Sequence, residues 1–436
     1  MMNLKRFLYI VPLCAFSLCA YAEKTLPNGD VVNLHPRVKD EYLEQDAPLK
    51  MLLDETENNR WRQTRIQIPD GTVHYTGYYS KNHWGPKNDY FVCLIRRKGL
   101  PRGASVLCKY VLKERALREL CIIRGEATYD HTRNIVWGLQ GNRFYKIDLN
   151  KPVSPTEFAP EYIFQDSMKN SYLYGPLEID EKRGLAFFGI GVEDKAKKEA
   201  ANALVKEKKD PRLEYIGERS FMVLDINTGK LLKRIPMGGN FHANHWIAMP
   251  DGENIVFAHE GITDTIADRI NMINWKTGEK KCLHSHIIDK KSGRMLECIG
   301  HEMRGGDYIN AVRYAQSELG SAIVRVKKDG SDYHIADYDS YWHSSTNPDT
   351  GEIIVADTMW WGKHNVRNKK KDHGYIIRLD MKNGTKEILK EIKINAQNGS
   401  NHPHPSLNGD GTKVLFSEPA DDKYENNSLT LLELVK

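Results

Sequence analysis

Two imidazoles on alternate residues, His402 and His404 in Asn401-His402-Pro403-His404-Pro405-Ser406, stand just ahead of the apolar run Lys413-Val414-Leu415-Phe416. On an extended backbone, residues two apart point the same way, so both rings can share one metal ion. An isolated His-x-His is a weak signal, and surface histidines in a turn are the competing reading. Other polar clusters also precede apolar runs: Lys81-Asn82-His83-Trp84, His242-Ala243-Asn244-His245-Trp246, Gly300-His301-Glu302 and Tyr341-Trp342-His343-Ser344. Neutral histidines can hold a divalent ion, and a histidine with a pKa near the working pH can act as a general base.

The elements that must position these residues repeat along the chain. Paired apolar runs recur seven times: 90–95 with 105–111, 135–139 with 143–149, 185–189 with 220–226, 254–258 with 269–275, 308–312 with 322–326, 353–356 with 374–379, and 414–417 with 429–435. Several second runs end in matching turns, such as Asp225-Ile226-Asn227-Thr228-Gly229-Lys230 and Asp380-Met381-Lys382-Asn383-Gly384-Thr385. A repeat of about 40–50 residues built from short strands predicts an all-β fold, a seven-bladed β-propeller. The last unit lacks a fourth strand, so the ring is expected to close with one from residues 60–80, for example 73–79. Residues 194–210, rich in Ala, Lys and Glu, predict a short helical insertion in the third blade, its charges facing solvent. Five of the seven blades then carry a histidine at an equivalent place, where loops converge on the central channel. Any single one could instead cap a strand by hydrogen bonding.

Lys5 and Arg6, the apolar run 7–19 and Ala20-Tyr21-Ala22 read as a signal peptide over 1–22, leaving 23–436 as one propeller domain, periplasmic or secreted. Without that segment the chain holds 61 basic and 58 acidic residues, a balance that argues against nucleic acid as the main partner and permits a locally basic pocket for an acidic ligand. No later run is apolar enough to span a membrane. The five remaining cysteines are too scattered for a disulfide framework, although Cys108 could pair with Cys93 or Cys121 in an oxidising compartment.

Four segments of the second half resemble the oligogalacturonate lyases of polysaccharide lyase family 22, seven-bladed enzymes that cleave pectin fragments. Phe257-Ala258-His259-Glu260-Gly261 with Ala267-Asp268-Arg269-Ile270 is similar to the family's His-Glu-Gly segment and the arginine after it. Gly300-His301-Glu302-Met303 resembles its Thr-His-Glu-Phe, and Trp342-His343-Ser344-Ser345-Thr346-Asn347 its Ser-His-x-x-Ser-Asn. His402-Pro403-His404-Pro405-Ser406 is the most specific match, and the likeness extends over about residues 180–436. The resemblance implies a divalent metal, manganese in the family with calcium or another ion as alternatives, on His343, His402 and His404. It further implies His301 as general base and Arg269 as its electrostatic partner. The family's glutamine, three residues before the first histidine of the His-Pro-His motif, is Gly399 here, with Gln397, Asn398 or Asn401 as replacements.

That chemistry suits these residue types. β-Elimination from a 4-linked uronide removes the C5 proton beside the carboxylate and expels the C4 oxygen, so a cation must stabilise the enediolate while a base reaches C5. Arg269 could also grip a uronate carboxylate with two parallel hydrogen bonds. Glu302, next to His301, should face the opposite way on an extended strand. His83, His245, Trp246 and His259 are the expected substrate contacts, and Trp360, Trp361, His364 and Arg367 a loop that could alter the sugar recognised. The reading is an exported lyase acting on acidic oligosaccharides. Its alternatives are the same elimination on a glucuronate-containing oligomer, and a non-catalytic scaffold propeller. Metal ligation at about 2.0–2.1 Å requires the three imidazoles to lie within about 5 Å of one another.

Overall fold

In the computed structural model the described residues are 22–25, 31–34, 50–51 and 59–435, less 69–70, 76–82, 209–216, 240–241, 261–267, 290–293, 315–316, 318, 359–372, 395–401 and 421–425. The signal segment, Gln397 to Asn401 and the Trp360–Arg367 loop therefore lie outside them, apart from Ala22.

Seven antiparallel sheets form the blades of a propeller, each with its innermost strand first in sequence except where the ring closes. Blade four, for example, runs His242–Ala248, Asn254–Glu260, Asp268–Asn274 and Lys280–Ser285. The paired runs of the sequence are the second and third strands of each blade. In blades four, five and six the polar clusters ahead of them are therefore parts of the innermost strands rather than loops leading into them, as with Ile299–Gly305 and Tyr341–Thr346, whereas His402 and His404 precede the innermost strand Ser406–Leu407.

Both faces of every blade are covered, which is why these strands read as continuous apolar runs rather than alternating ones. In the second strand of blade three, Phe187 packs toward blade four, with Phe221, Trp246 and Phe257, whereas its neighbour Phe188 packs toward blade two, with Trp137 and Phe144. Seven such apolar cores, one between each pair of neighbouring blades, occur among the described residues.

The ring closes in blade seven, where Trp61–Ile66 pairs with Asn427–Leu434. The borrowed strand comes from the expected region but not from residues 73–79. Val73 belongs to Gly71–Tyr75, the innermost strand of blade one. The helix Lys195–Lys208 links the second and third strands of blade three and buries none of its residues; the Asp194 carboxylate accepts from the Lys197 N–H at 3.1 Å and caps it. No helix among the described residues is long and apolar enough to cross a membrane. Cys93, Cys108, Cys121, Cys282 and Cys298 are all free thiols.

Leu431 is 1% exposed in the closing strand pair, within the core shared by blades seven and one. Leu431→Ala should cost about 2–5 kcal/mol, read as a lower midpoint of denaturant unfolding, because it loosens the seam that holds the first and last blades together.

Candidate metal and catalytic site

Blades four to seven bring their histidines to one end of the channel, and local backbone irregularity aims them there. The ladder between the first two strands slips at Asn244/Ile247 in blade four, Gly300/Met303 in blade five and Tyr341/His343 in blade six. His245, His301 and His404 adopt left-handed backbone, with φ of 53°, 57° and 44°. Such a bulge re-aims side chains at a cost of order 1–3 kcal/mol per strained residue. It also overturns the alternation expected for Glu302. With His301 left-handed, Glu302 hydrogen-bonds His245, whose ring lies 6.0 Å from that of His301.

His343, His402 and His404 present ring nitrogens that lie within 4.8 Å of one another. Two nitrogens bound at about 2.1 Å to one ion are at most about 4.2 Å apart, so closing on a metal needs less than about 1 Å of side-chain movement. The donor chemistry fits as well. Asp357 accepts from the His343 backbone N–H at 2.7 Å and lies 2.8 Å from Nδ1 of the same ring. It also accepts from the His404 backbone N–H at 3.2 Å. The His404 Nδ1–H donates to the His402 carbonyl at 3.2 Å. A proton on Nδ1 of His404, and on Nδ1 of His343 when Asp357 is ionised, leaves both Nε2 atoms as metal donors, the usual work of outer partners at a metal centre. Burial lowers all three pKa values, to about 4 for His402 and, with His402 adding to it, to about 3 for His404. The rings are thus neutral, as ligation requires. Burial pushes Asp357 up to about 8 against those backbone N–H donors.

His301 stacks on His343 with ring centroids 4.3 Å apart. Tyr314 and Trp342 stand edge-on to it at 5.4 and 6.3 Å. Gly300 makes room for Tyr314, since a Cβ there would meet the phenol oxygen at 2.1 Å. Burial, then His245 and His404, holds the His301 pKa well below its usual value, so the ring is neutral and able to accept a proton.

Arg269 lies beside this base, 5% exposed, but its fork is not open to a uronate as expected. Nε donates to Glu302 at 2.6 Å, Nη2 to Glu260 at 2.9 Å and to Glu302 at 3.3 Å, and Nη1 to the His259 carbonyl at 3.4 Å. His259, the neighbour of Glu260, holds Asp268 at 3.2 Å at the rim.

Two expected substrate contacts lie elsewhere. Trp246 is 1% exposed and packs against Phe221 and Phe257 between blades three and four, with no surface to offer a sugar. His83 is fully buried opposite the start of its second strand, where its carbonyl accepts from the Val92 N–H and Trp84 bridges Phe91. The clustered histidines lie toward the other end of the ladder, His343 opposite Asp357 for instance. Asp357 and Glu260 were not singled out in the sequence, although each is a carboxylate at the end of a buried strand, a placement that should have drawn attention.

Fold and centre together define a seven-bladed propeller carrying three clustered histidines on two adjacent blades. Among solved structures, an oligogalacturonate lyase in complex with manganese aligns with a TM-score of 0.66 at 19% identity, over 90% of this chain and 98% of its own. The oligogalacturonate lyase of Vibrio parahaemolyticus gives 0.66 at 15% identity, over 90% and 99%. At these identities the likeness establishes the fold. No protein-family model matches the sequence, and neither does any curated protein.

Manganese titrated calorimetrically into chelator-stripped protein should bind at one site per chain. His404→Ala should abolish that binding, and Asp357→Asn should weaken it about 10–100-fold by releasing the His343 ring.

Proposed function

We propose that the protein is a lyase that cleaves 4-linked uronides, of the oligogalacturonate type, by β-elimination to an unsaturated uronate. The observation that carries this reading is the neutral His301 ring stacked at 4.3 Å on a histidine of the three-imidazole cluster. A base and a cation site in van der Waals contact are what removal of a proton beside a carboxylate demands.

When bound by His343, His402 and His404, a divalent ion would supply Lewis acidity toward the uronate carboxylate, with manganese the first candidate. His301 takes the C5 proton, and burial together with the nearby charges of His245 and Arg269 keeps it unprotonated beforehand. Arg269, pinned by Glu260 and Glu302, acts as a fixed positive charge rather than as a carboxylate grip. Trp342, with ring centroids 6.3 Å from His301 and 6.1 Å from His402, offers an apolar wall for a sugar face. The export signal read over residues 1–22 would place this reaction in the periplasm or outside the cell.

The test is near-ultraviolet absorbance during incubation with acidic oligosaccharides, with and without chelator and added manganese. A rise on oligogalacturonate that chelator suppresses supports the reading, and silence over a broad uronide panel with metal-loaded protein removes it. His301→Ala should lower turnover by about 10²–10⁴-fold while metal content, measured by elemental analysis, stays at the wild-type level.

A further inference from the structure

Behind His301 lies a cluster of buried Glu302, Arg269 and His245, with Glu260 partly exposed at its edge. His245 Nδ1 is 2.6 Å from Glu302, and Nε2 is 4.0 Å from Glu260, beyond hydrogen-bonding reach of it. Arg269 bridges the two carboxylates at 2.9 and 2.6 Å. Burial pushes both carboxyls up, but Arg269 and then His245 outweigh it and hold both below their usual range, so both are ionised. Two carboxylates and one guanidinium leave a net negative charge, and its Glu302 end is shut off from solvent. An uncompensated buried charge is strongly destabilising.

Among the described residues, the remaining neighbours do not supply the missing cation. Burial lowers the pKa of His259, against the pull of Asp268, and lowers that of His286 to about 4, with Arg269 adding to it. Tyr314 is held as a neutral phenol, its pKa raised by burial. His245, touching one carboxylate and close to the other, is the described side chain best placed to offset that charge. The imidazoles of His245 and His301 lie 6.0 Å apart, one against a carboxylate and one stacked on a neighbouring imidazole, an asymmetry that suits one to give a proton and the other to take one.

Resting on the uronide-lyase reading, we propose that His245 is a catalytic acid, an imidazolium that protonates the departing C4 oxygen as His301 removes the C5 proton. The C5–H bond breaks toward His301, and its electron pair becomes the C4–C5 double bond. The C4–O4 bond breaks with its pair on oxygen, which takes the Nε2 proton of His245. His301 ends protonated and His245 neutral, and exchange with solvent restores both.

His245→Asn is the discriminating variant. Asparagine tolerates the left-handed backbone at this position and can keep a donor on Glu302, but it carries no acid. On oligogalacturonate its turnover should fall by about 10²-fold or more. On a uronide bearing 4-nitrophenolate at C4, a leaving group that departs without a proton, it should stay within about tenfold of wild type. His301→Ala should fail on both substrates. Equal loss by His245→Asn on both would overturn the acid role and leave His245 as a support for Arg269. Inactive wild type on every uronide would overturn the lyase reading and the acid role with it. Independently of substrate, imidazole ¹⁵N shifts of the wild type should report a doubly protonated His245 at pH 7, and a neutral ring there would overturn the proposal.

Discussion

Closure of the ring is the constraint on which the site depends. The imidazole cluster joins His343 on blade six to His402 and His404 at the start of blade seven, and blade seven is a four-stranded sheet only because Trp61–Ile66 supplies its outer strand. Closure also leaves blade seven with a neighbour on each side, blade six through Val355 and Ile376 and blade one through Val73 and Phe91. Without it, one face of blade seven would be exposed and two of the three clustered rings would ride on a loose element. Pairing between residues some 370 apart in sequence therefore holds the element that carries two of the three rings.

Within that frame the chemistry is separated by charge. The three clustered imidazoles are kept neutral by burial, with Asp357 and the His402 carbonyl fixing which nitrogen faces inward. On the other side of His301, carboxylates and a guanidinium occupy blades four and five. A low dielectric strengthens every interaction in both halves and makes any unmatched charge costly. His301 sits where the two halves meet, stacked on His343 and 6.0 Å from His245.

Much of this was legible in the sequence. Seven paired apolar runs and recurrent Asp/Asn-x-x-x-Gly turns give the propeller, and the Ala-Lys-Glu composition gives the helix of blade three. The convergence of His343, His402 and His404 followed from position within the repeat. What could not be read was set by backbone irregularity and by packing. Period-two alternation placed Glu302 away from His301, and one left-handed residue reversed that outcome. Trp246 follows His245 directly, but burial between two blades makes it a core residue. His83 shares the His-Trp signature yet lies opposite the start of the second strand of blade one, the wrong end of the ladder.

Three of the aligned histidines occupy left-handed backbone, a conformation uncommon for any residue other than glycine. Asparagine or glycine would relieve the backbone at His245, His301 and His404. A lineage released from its chemistry would thus be drawn by fold stability itself to discard these rings first. Histidine retained at all three sites in distant relatives would accordingly record continuous selection for the reaction, whereas the apolar seams between blades would persist either way.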